Sequence, residues 1–260
     1  MRFDTSNPAF LQAAGNRSFF MRMTTSVVNQ EFYELSANGL VYIDSVKNGA
    51  KVRKTLINPN NEFVTIENDA DTEIIVWGEV TRLIAGGDAN TGLTSLDLSK
   101  NPALTELDCY DCPSLTSLDL SKNPALTELS CASCVGLTSL DLSKNLALTK
   151  LDCSKCTCLT SLDLSKNLAL TRLSCGSNPS LTSLDLSNNT ALTYLGSRSN
   201  TGLTSINGIA VNSEVSTSIA SAITDATSVD GTVTLRQGDE FNQTIIDAAM
   251  DKGWGVQYYQ

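Results

Sequence analysis

From Leu93 onward a leucine opens a new unit every 11 residues, through Leu104, Leu115, Leu126 and on to Leu203. Two kinds of unit alternate. One reads "LTSLDLSKNPA" and returns almost unchanged from Leu93, Leu115, Leu137, Leu159 and Leu181. The other reads "LTELDCYDCPS", "LTELSCASCVG", "LTKLDCSKCTC", "LTRLSCGSNPS" and "LTYLGSRSNTG", so the full period is 22 residues. Half-units flank the array, "VTRLIAGGDANTG" before it and "LTSINGIAVNS" after. A unit this short cannot bury its own apolar face, so such a chain must stack its coils into an elongated array, each resting on its neighbours.

Within a unit, positions 1, 4 and 6 are apolar and position 9 is Asn or Cys. Positions 4 and 6 alternate as a short strand does, which turns both side chains to the coil interior. Position 9 lies where the chain turns after the strand. A buried amide there satisfies backbone groups that the turn leaves unpaired. This phase explains a spacing that otherwise reads as a metal site, Cys109-x2-Cys112 followed 18 residues later by Cys131-x2-Cys134. Cys109, Cys131, Cys153 and Cys175 stand at position 6, where the alternate units place Leu. Cys112, Cys134 and Cys156 stand at position 9, where others place Asn. A zinc site is disfavoured because the motif fades to Cys175/Asn178 and then Ser197/Asn200. Disulfides between coils fit the stacking distance but not a reducing compartment. A ladder of buried thiols is the preferred reading, with Cys109, Cys131, Cys153 and Cys175 beside an amide ladder of Asn101, Asn123, Asn145, Asn167 and Asn189. Cys158, at position 11, is the odd one.

The pattern L-x-x-L-x-L-x-x-[NC] is that of leucine-rich repeats. The alternation of "LTxLDLSKN" with "LTxLxCxxN/C" resembles the cysteine-ladder repeats of internalin J-type adhesins, and also repeat proteins of gut bacteria and their phages. The resemblance covers residues 74–212 and extends more weakly to "AAMDKGWGVQYY". It implies a β-rich solenoid used for binding, and leaves the ligand open.

Outside the array, residues 1–73 show no repeat. "SFFMRMTT", "EFYELS", "LVYIDSV" and "EFVTIE" read as strands, separated by turn signals at Asn38-Gly39, Asn48-Gly49 and "NPNN". An N-terminal arm and small β-rich attachment domain are expected over 1–73, the solenoid over 74–212, and an α/β cap over 213–260. In the cap, Val215, Ile219 and Ile223 mark a helix face. Asp239 reads as the N-cap of a second helix with Phe241, Ile245 and Ala249 on one face and Gly253 as its stop. Trp254 is expected as a core anchor. The basic turn "KNGAKVRK" reads as a solvated hairpin tip.

The 260 residues carry a formal charge of −10, and no histidine. Residues 1–71 hold 7 Lys+Arg against 8 Asp+Glu, leaving 11 against 20 for residues 72–260. An acidic array repels a phosphate backbone, so no nucleic-acid partner is expected. Without histidine there is no Ser-His-Asp or Cys-His pair, and no Gly-rich phosphate loop or nucleophile elbow is present. The chain reads as non-enzymatic, with no cofactor and no metal. The Asp column of the "LTSLDLSKN" units lacks the glycine-rich nonapeptide of calcium-binding solenoids. No apolar run suits a signal peptide or a membrane helix, so membrane insertion is not expected and folding in a reducing cytoplasm is.

The outward positions of the two kinds of unit differ. In the "LTSLDLSKN" units they barely change. In the cysteine units they run Glu106/Asp108, Glu128/Ser130, Lys150/Asp152, Arg172/Ser174 and Tyr194/Gly196, with Tyr110 and Arg198 just past the strand. A fixed scaffold under a changing surface is how a recognition face looks. The candidate binding residues are therefore Glu106, Asp108, Tyr110, Glu128, Lys150, Asp152, Arg172, Tyr194 and Arg198, for a protein partner (a virion or host-surface component) or a cell-surface glycan. The expected role is a bacteriophage virion component, made in the host cytoplasm and exposing the solenoid as decoration or fibre. The alternatives are a bacterial adhesion or protein-binding module, cytoplasmic or at the cell surface, and a plain spacer that binds nothing.

Overall fold

The computed structural model describes residues 20–25, 31–57, 59–60, 62–65, 72–87, 92–208, 213–228, 230–236 and 242–259. The expected N-terminal arm, Asp239 and Phe241 lie outside them. Three antiparallel strands, β1 (Phe20–Thr25), β2 (Glu31–Lys47) and β5 (Thr72–Ile84), form the first sheet, with β3 (Ala50–Ile57) and β4 (Glu62–Thr65) paired to β2. Asn48 and Gly49, with φ of 50° and 73°, make the tight turn from β2 to β3. The turn expected at Asn38-Gly39 is absent. The chain runs through it as one strand, and the register against β5 slips between Asn38 and Tyr42. A bulge, not a hairpin, absorbs that dipeptide.

β5 is the joint between this sheet and the repeats. It pairs antiparallel with β2 along one edge, and along the other antiparallel with β1 and then parallel with β7 (Glu106–Asp108), so the expected boundary at residue 73 lies inside a strand. β1 also pairs with β6 (Leu93–Lys100), the first "LTSLDL" segment, and so bridges the two sides of the first coil. On the cysteine side β7, β8 (Glu128–Ser130), β9 (Lys150–Asp152), β10 (Arg172–Ser174) and β12 (Tyr194–Gly196) stack in parallel, each one coil from the next. Positions 1, 4 and 6 of every coil are buried, and Leu104, Cys109, Leu126, Cys131, Leu148 and Cys153 are wholly out of solvent. Each such leucine contributes about 1.5–3 kcal/mol by burial.

The aspartate side is built differently. Strands were expected in every unit, yet the segments 115–120, 137–142 and 159–164 are not strands. What joins those coils is the amide ladder. Asn145 Nδ2 donates to Leu120 O at 3.1 Å and Asn123 O at 2.9 Å, and Asn123, Asn167 and Asn189 repeat the pair. Asn101, in the first coil, instead accepts the Val80 N–H. On the cysteine side, the thiols at position 9 do the same work with one donor each. The thiols of Cys134 and Cys156 reach Cys109 O and Cys131 O at 3.1 Å, and Asn178 Nδ2 makes the equivalent bond to Cys153 O. A thiol and an amide are interchangeable here because both aim a donor at the same carbonyl, 25 residues back.

Position 8 of the cysteine units is left-handed in five coils, at Asp111, Ser133, Lys155, Ser177 and Ser199, with φ between 55° and 62°. That geometry turns the N–H of Ser133 onto Ser154 O of the next coil and extends the ladder past the strand. A side chain pays conformational strain there that glycine does not. Ser133→Gly is accordingly expected to raise stability by about 0.5–1 kcal/mol, and Ser133→Val to lower it, as read by urea denaturation.

Beyond β12 the chain changes to alternating strands and helices. β11 (Ser183–Asp185), β13 (Ser205–Gly208), β14 (Thr232–Arg236) and β15 (Gly255–Tyr259) form a parallel sheet, with α1 (Ser213–Asp225) and α2 (Asn242–Lys252) as crossovers. Val215, Ile219 and Ile223 are the buried face of α1, and Ile245 and Ala249 that of α2, which ends at Gly253 with φ 80°. α1 takes the place that a further cysteine unit would fill. In earlier coils Cys175 N–H and Ser177 N–H donate to carbonyls of the next coil; in the last one Ser197 N–H meets Ser218 Oγ at 3.4 Å and Ser199 N–H meets Asp225 Oδ2 at 2.7 Å. Helix side chains thus complete a strand edge that would otherwise be open. Trp254 is buried and donates from Nε1 to Ser228 O at 2.8 Å, and Gly231 lies so close under its ring that no side chain fits.

Candidate functional site

Parallel register places the outward side chains of the cysteine side in straight columns. Position 3 reads Arg82, Glu106, Glu128, Lys150, Arg172, Tyr194, and position 5 reads Ile84, Asp108, Ser130, Asp152, Ser174, Gly196. All nine residues expected to form a binding surface therefore fall on one side of the array, on or just past adjoining strands. Neighbours about 4.8 Å apart must interact, and those of position 3 do. Arg82 Nη2 lies 3.0 Å from Glu106 Oε1, Lys150 Nζ 2.7 Å from Glu128 Oε1, and the Arg172 guanidinium carbon 4.6 Å from the Tyr194 ring centre. The column is thus tied in three pairs, with like charges adjoining between them at Glu106/Glu128 and Lys150/Arg172. Such exposed pairs contribute little to stability, about 0–1 kcal/mol each, so their effect is to fix positions.

Position 5 forms the floor, and its side chains shorten along the array. Asp108 and Asp152 alternate with Ser130 and Ser174 and end at Gly196, over which the Tyr194 ring lies, its hydroxyl 3.3 Å from where a Cβ would stand. Burial raises Asp108 above the ordinary carboxylate range against hydrogen bonds from the Tyr110 N–H and the Ser130 hydroxyl, and the charge of Asp152 adds to the rise. Asp152 accepts from the Ser154 N–H at 3.0 Å and its hydroxyl at 2.6 Å. Two depressions follow the floor. One of about 320 Å³ is lined from Glu106 to Ser174 and includes Glu128, Lys150, Asp152 and Arg172. The other, about 370 Å³, continues past Asp152 to Tyr194, Arg198 and Ser218. Tyr110 stands exposed at one end of the trough and Arg198 at the other.

Arg82, Lys155 and Ser218 belong to this surface and were not among the expected residues. Arg82 was legible, since "VTRL" puts it at position 3 of the leading half-unit. Ser218 was not, because it comes from α1, outside the repeat. The cysteines stay beneath the floor as free thiols, all buried except Cys158. Burial pushes the Cys153 thiol well up and that of Cys175 to about 12. Among the described residues no three His, Cys, Asp or Glu side chains converge on a metal-sized site.

A family model described as "Leucine Rich repeat" matches residues 111–127, 155–167 and 177–196. The matched segments lie within the array of 22-residue coils, which carries leucine-rich repeats. No curated protein matches it. Among solved structures it is similar to the functional domain of InlJ from Listeria monocytogenes, described as including a cysteine ladder, with 28% identity, 68% of this chain and 43% of that chain covered, and a TM-score of 0.35. It is also similar to the internalin InlF from Listeria monocytogenes strain 4b F2365, with 14% identity, 69% and 82% of the two chains covered, and a TM-score of 0.25. The chain spans less than half the length of the InlJ structure it matches. Among the described residues no helix is long and apolar enough to cross a membrane.

Proposed function

We propose that this chain is a non-enzymatic leucine-rich-repeat binding module, and that its partner lies along the trough of the cysteine side between Glu106 and Arg198. One observation carries the reading. Rungs that keep leucine at positions 1 and 4 and a small buried side chain at position 6 change sign and kind outside, from Glu106 to Lys150 to Tyr194, whereas the aspartate side, which has a depression of its own of about 430 Å³ beside Arg22, Asp97 and Asp119, repeats the same residues. In this reading residues 74–212 form a solenoid, with residues 1–73 and 213–260 closing its two ends. β1 across the first coil and the Ser218 and Asp225 bonds at the last support that division. The lining is mixed polar and aromatic, which suits a protein surface or a glycan. Placement on a virion is a finer expectation that the trough neither needs nor argues for.

The double variant Arg172→Ala/Tyr194→Ala tests it. The stacked pair stands outside the core, so melting should move by no more than about 1 kcal/mol in stability. Capture on immobilised host-cell envelope proteins and on a glycan array, each compared with wild type, should fall at least tenfold on whichever binds. Binding undiminished by the variant would move the site elsewhere. No binding to either array would favour the spacer.

A further inference from the structure

The opposite side of the array presents two parallel columns of charge. Position 5 is Asp in five successive units, from Asp97 to Asp185, and position 8 is Lys in four, from Lys100 to Lys166, all exposed. Each aspartate accepts the N–H of the serine two residues on at 2.9 Å, which fixes its carboxylate on the surface. That bond holds Asp119, Asp141 and Asp163 below the ordinary carboxylate range, so the column is charged at neutral pH. Its members repel one another: Asp141 acts against both Asp119 and Asp163, while the lysine of the same coil acts the other way. With rungs about 4.8 Å apart, five carboxylates make a ridge of like charge about 19 Å long. A second row of lysines beside it would relieve the imbalance, and this chain carries such a row at the same spacing.

Two parallel columns of opposite sign are self-complementary under one operation. A twofold axis between two such faces, running along the stack, sets the Asp column of each copy on the Lys column of the other, rung for rung. An axis across the stack would set like on like. The serines at positions 3 and 7 keep the side chains beside the columns short, and the depression of about 430 Å³ on this side lies at its β1 end, by Arg22 and Asp97, so close approach falls on the coils from Asp119 to Lys166.

We propose that two copies of this chain associate in parallel through their aspartate sides, with Asp119, Asp141 and Asp163 of each copy against Lys122, Lys144 and Lys166 of the other. This accounts for the sameness of that side, because a rung that changed would lose its counterpart in the second copy. It leaves the trough open on the far side and so places two copies of it back to back. Exposed ion pairs are individually weak, so the association rests on their number and falls with salt.

Sedimentation velocity of the full chain at about 0.05 M and about 0.5 M salt is the test, since screening shortens from over 10 Å to a few ångströms across that range. The expected result is twice the chain mass at low salt and the single chain at high salt. Lys122→Glu/Lys144→Glu/Lys166→Glu should sediment as a monomer at both, with an unchanged melting curve. The neutral version, with Gln at the same three positions, should dissociate at least tenfold more readily than wild type. Lys47→Glu/Lys51→Glu/Lys54→Glu, on the β2–β3 hairpin, changes net charge equally and should still dimerise. A monomer at low salt overturns the proposal. So does a dimer that survives reversal of the face lysines or is lost with the hairpin ones.

Discussion

Cys131→Asp should lose about 4 kcal/mol of stability at pH 7, while Ser130→Asp, one residue away, should lose only about 1 kcal/mol, from the Asp108 hydrogen bond it removes and its repulsion with Asp108 and Asp152. The contrast follows from the pleat. Ser130 faces the trough at a position where Asp108 and Asp152 already stand, whereas Cys131 is wholly out of solvent inside the coil. A carboxyl at position 6 has no cation within the core to meet it, so burial raises its pKa by about 3–5 units over the unfolded value of about 3.9. Each unit above 3.9 and up to the working pH costs 1.36 kcal/mol, and about three units lie between there and pH 7. The sign is definite: a raised folded pKa means that the penalty is absent below about pH 3.9 and grows as pH rises through neutrality. Urea denaturation at pH 4.5 and pH 7 should therefore show the variant approaching wild type at the lower pH. Cys131→Ala, which leaves a small cavity and no charge, should lose about 1–2 kcal/mol at both. A pH-independent loss in the Asp variant would mean that position 6 is not sealed from water.

Phase made most of this legible. Once Leu93 and its successors fix position 1, the inward placing of Cys109 through Cys175, the turn role of Asn123 and its fellows, and the outward columns all follow, because a 22-residue period with a two-residue pleat leaves each side chain one direction. The helices of the C-terminal segment were legible for the same reason, through Val215, Ile219 and Ile223. What escaped was whatever the period does not determine. "LTSLDL" has the alternation of a strand, but only β6 and β11 find backbone partners, beside β1 and β13; the middle three coils have the Asn amides instead. The left-handed turn at Ser133 or Lys155 carries no glycine to announce it. Asn38-Gly39 has the composition of a tight turn, yet the long pairing of β2 against β5 outweighs that local preference and folds it into a bulge. Which charges meet across rungs, Glu128 with Lys150 rather than with Glu106, needed the register as well as the pattern.

That difference between the two sides yields the second large effect. Asn145→Ala removes two buried donors at once, those to Leu120 O and Asn123 O. Each bond contributes about 0.5–1.5 kcal/mol net, and the cavity adds to the loss, so about 2–4 kcal/mol should go. Cys156→Ala removes one donor, to Cys131 O, from a side where strand ladders on either hand still hold the coils, and should lose about 1–2 kcal/mol. Asn145→Cys should fall between Asn145→Ala and wild type, because a thiol reaches one of the two carbonyls. Since each coil contacts only its neighbours, the weakened joint sits in mid-array, and unfolding of Asn145→Ala should broaden or split into two steps while Cys156→Ala keeps one. Equal losses at the two positions would mean that the aspartate side is held by something other than its amides.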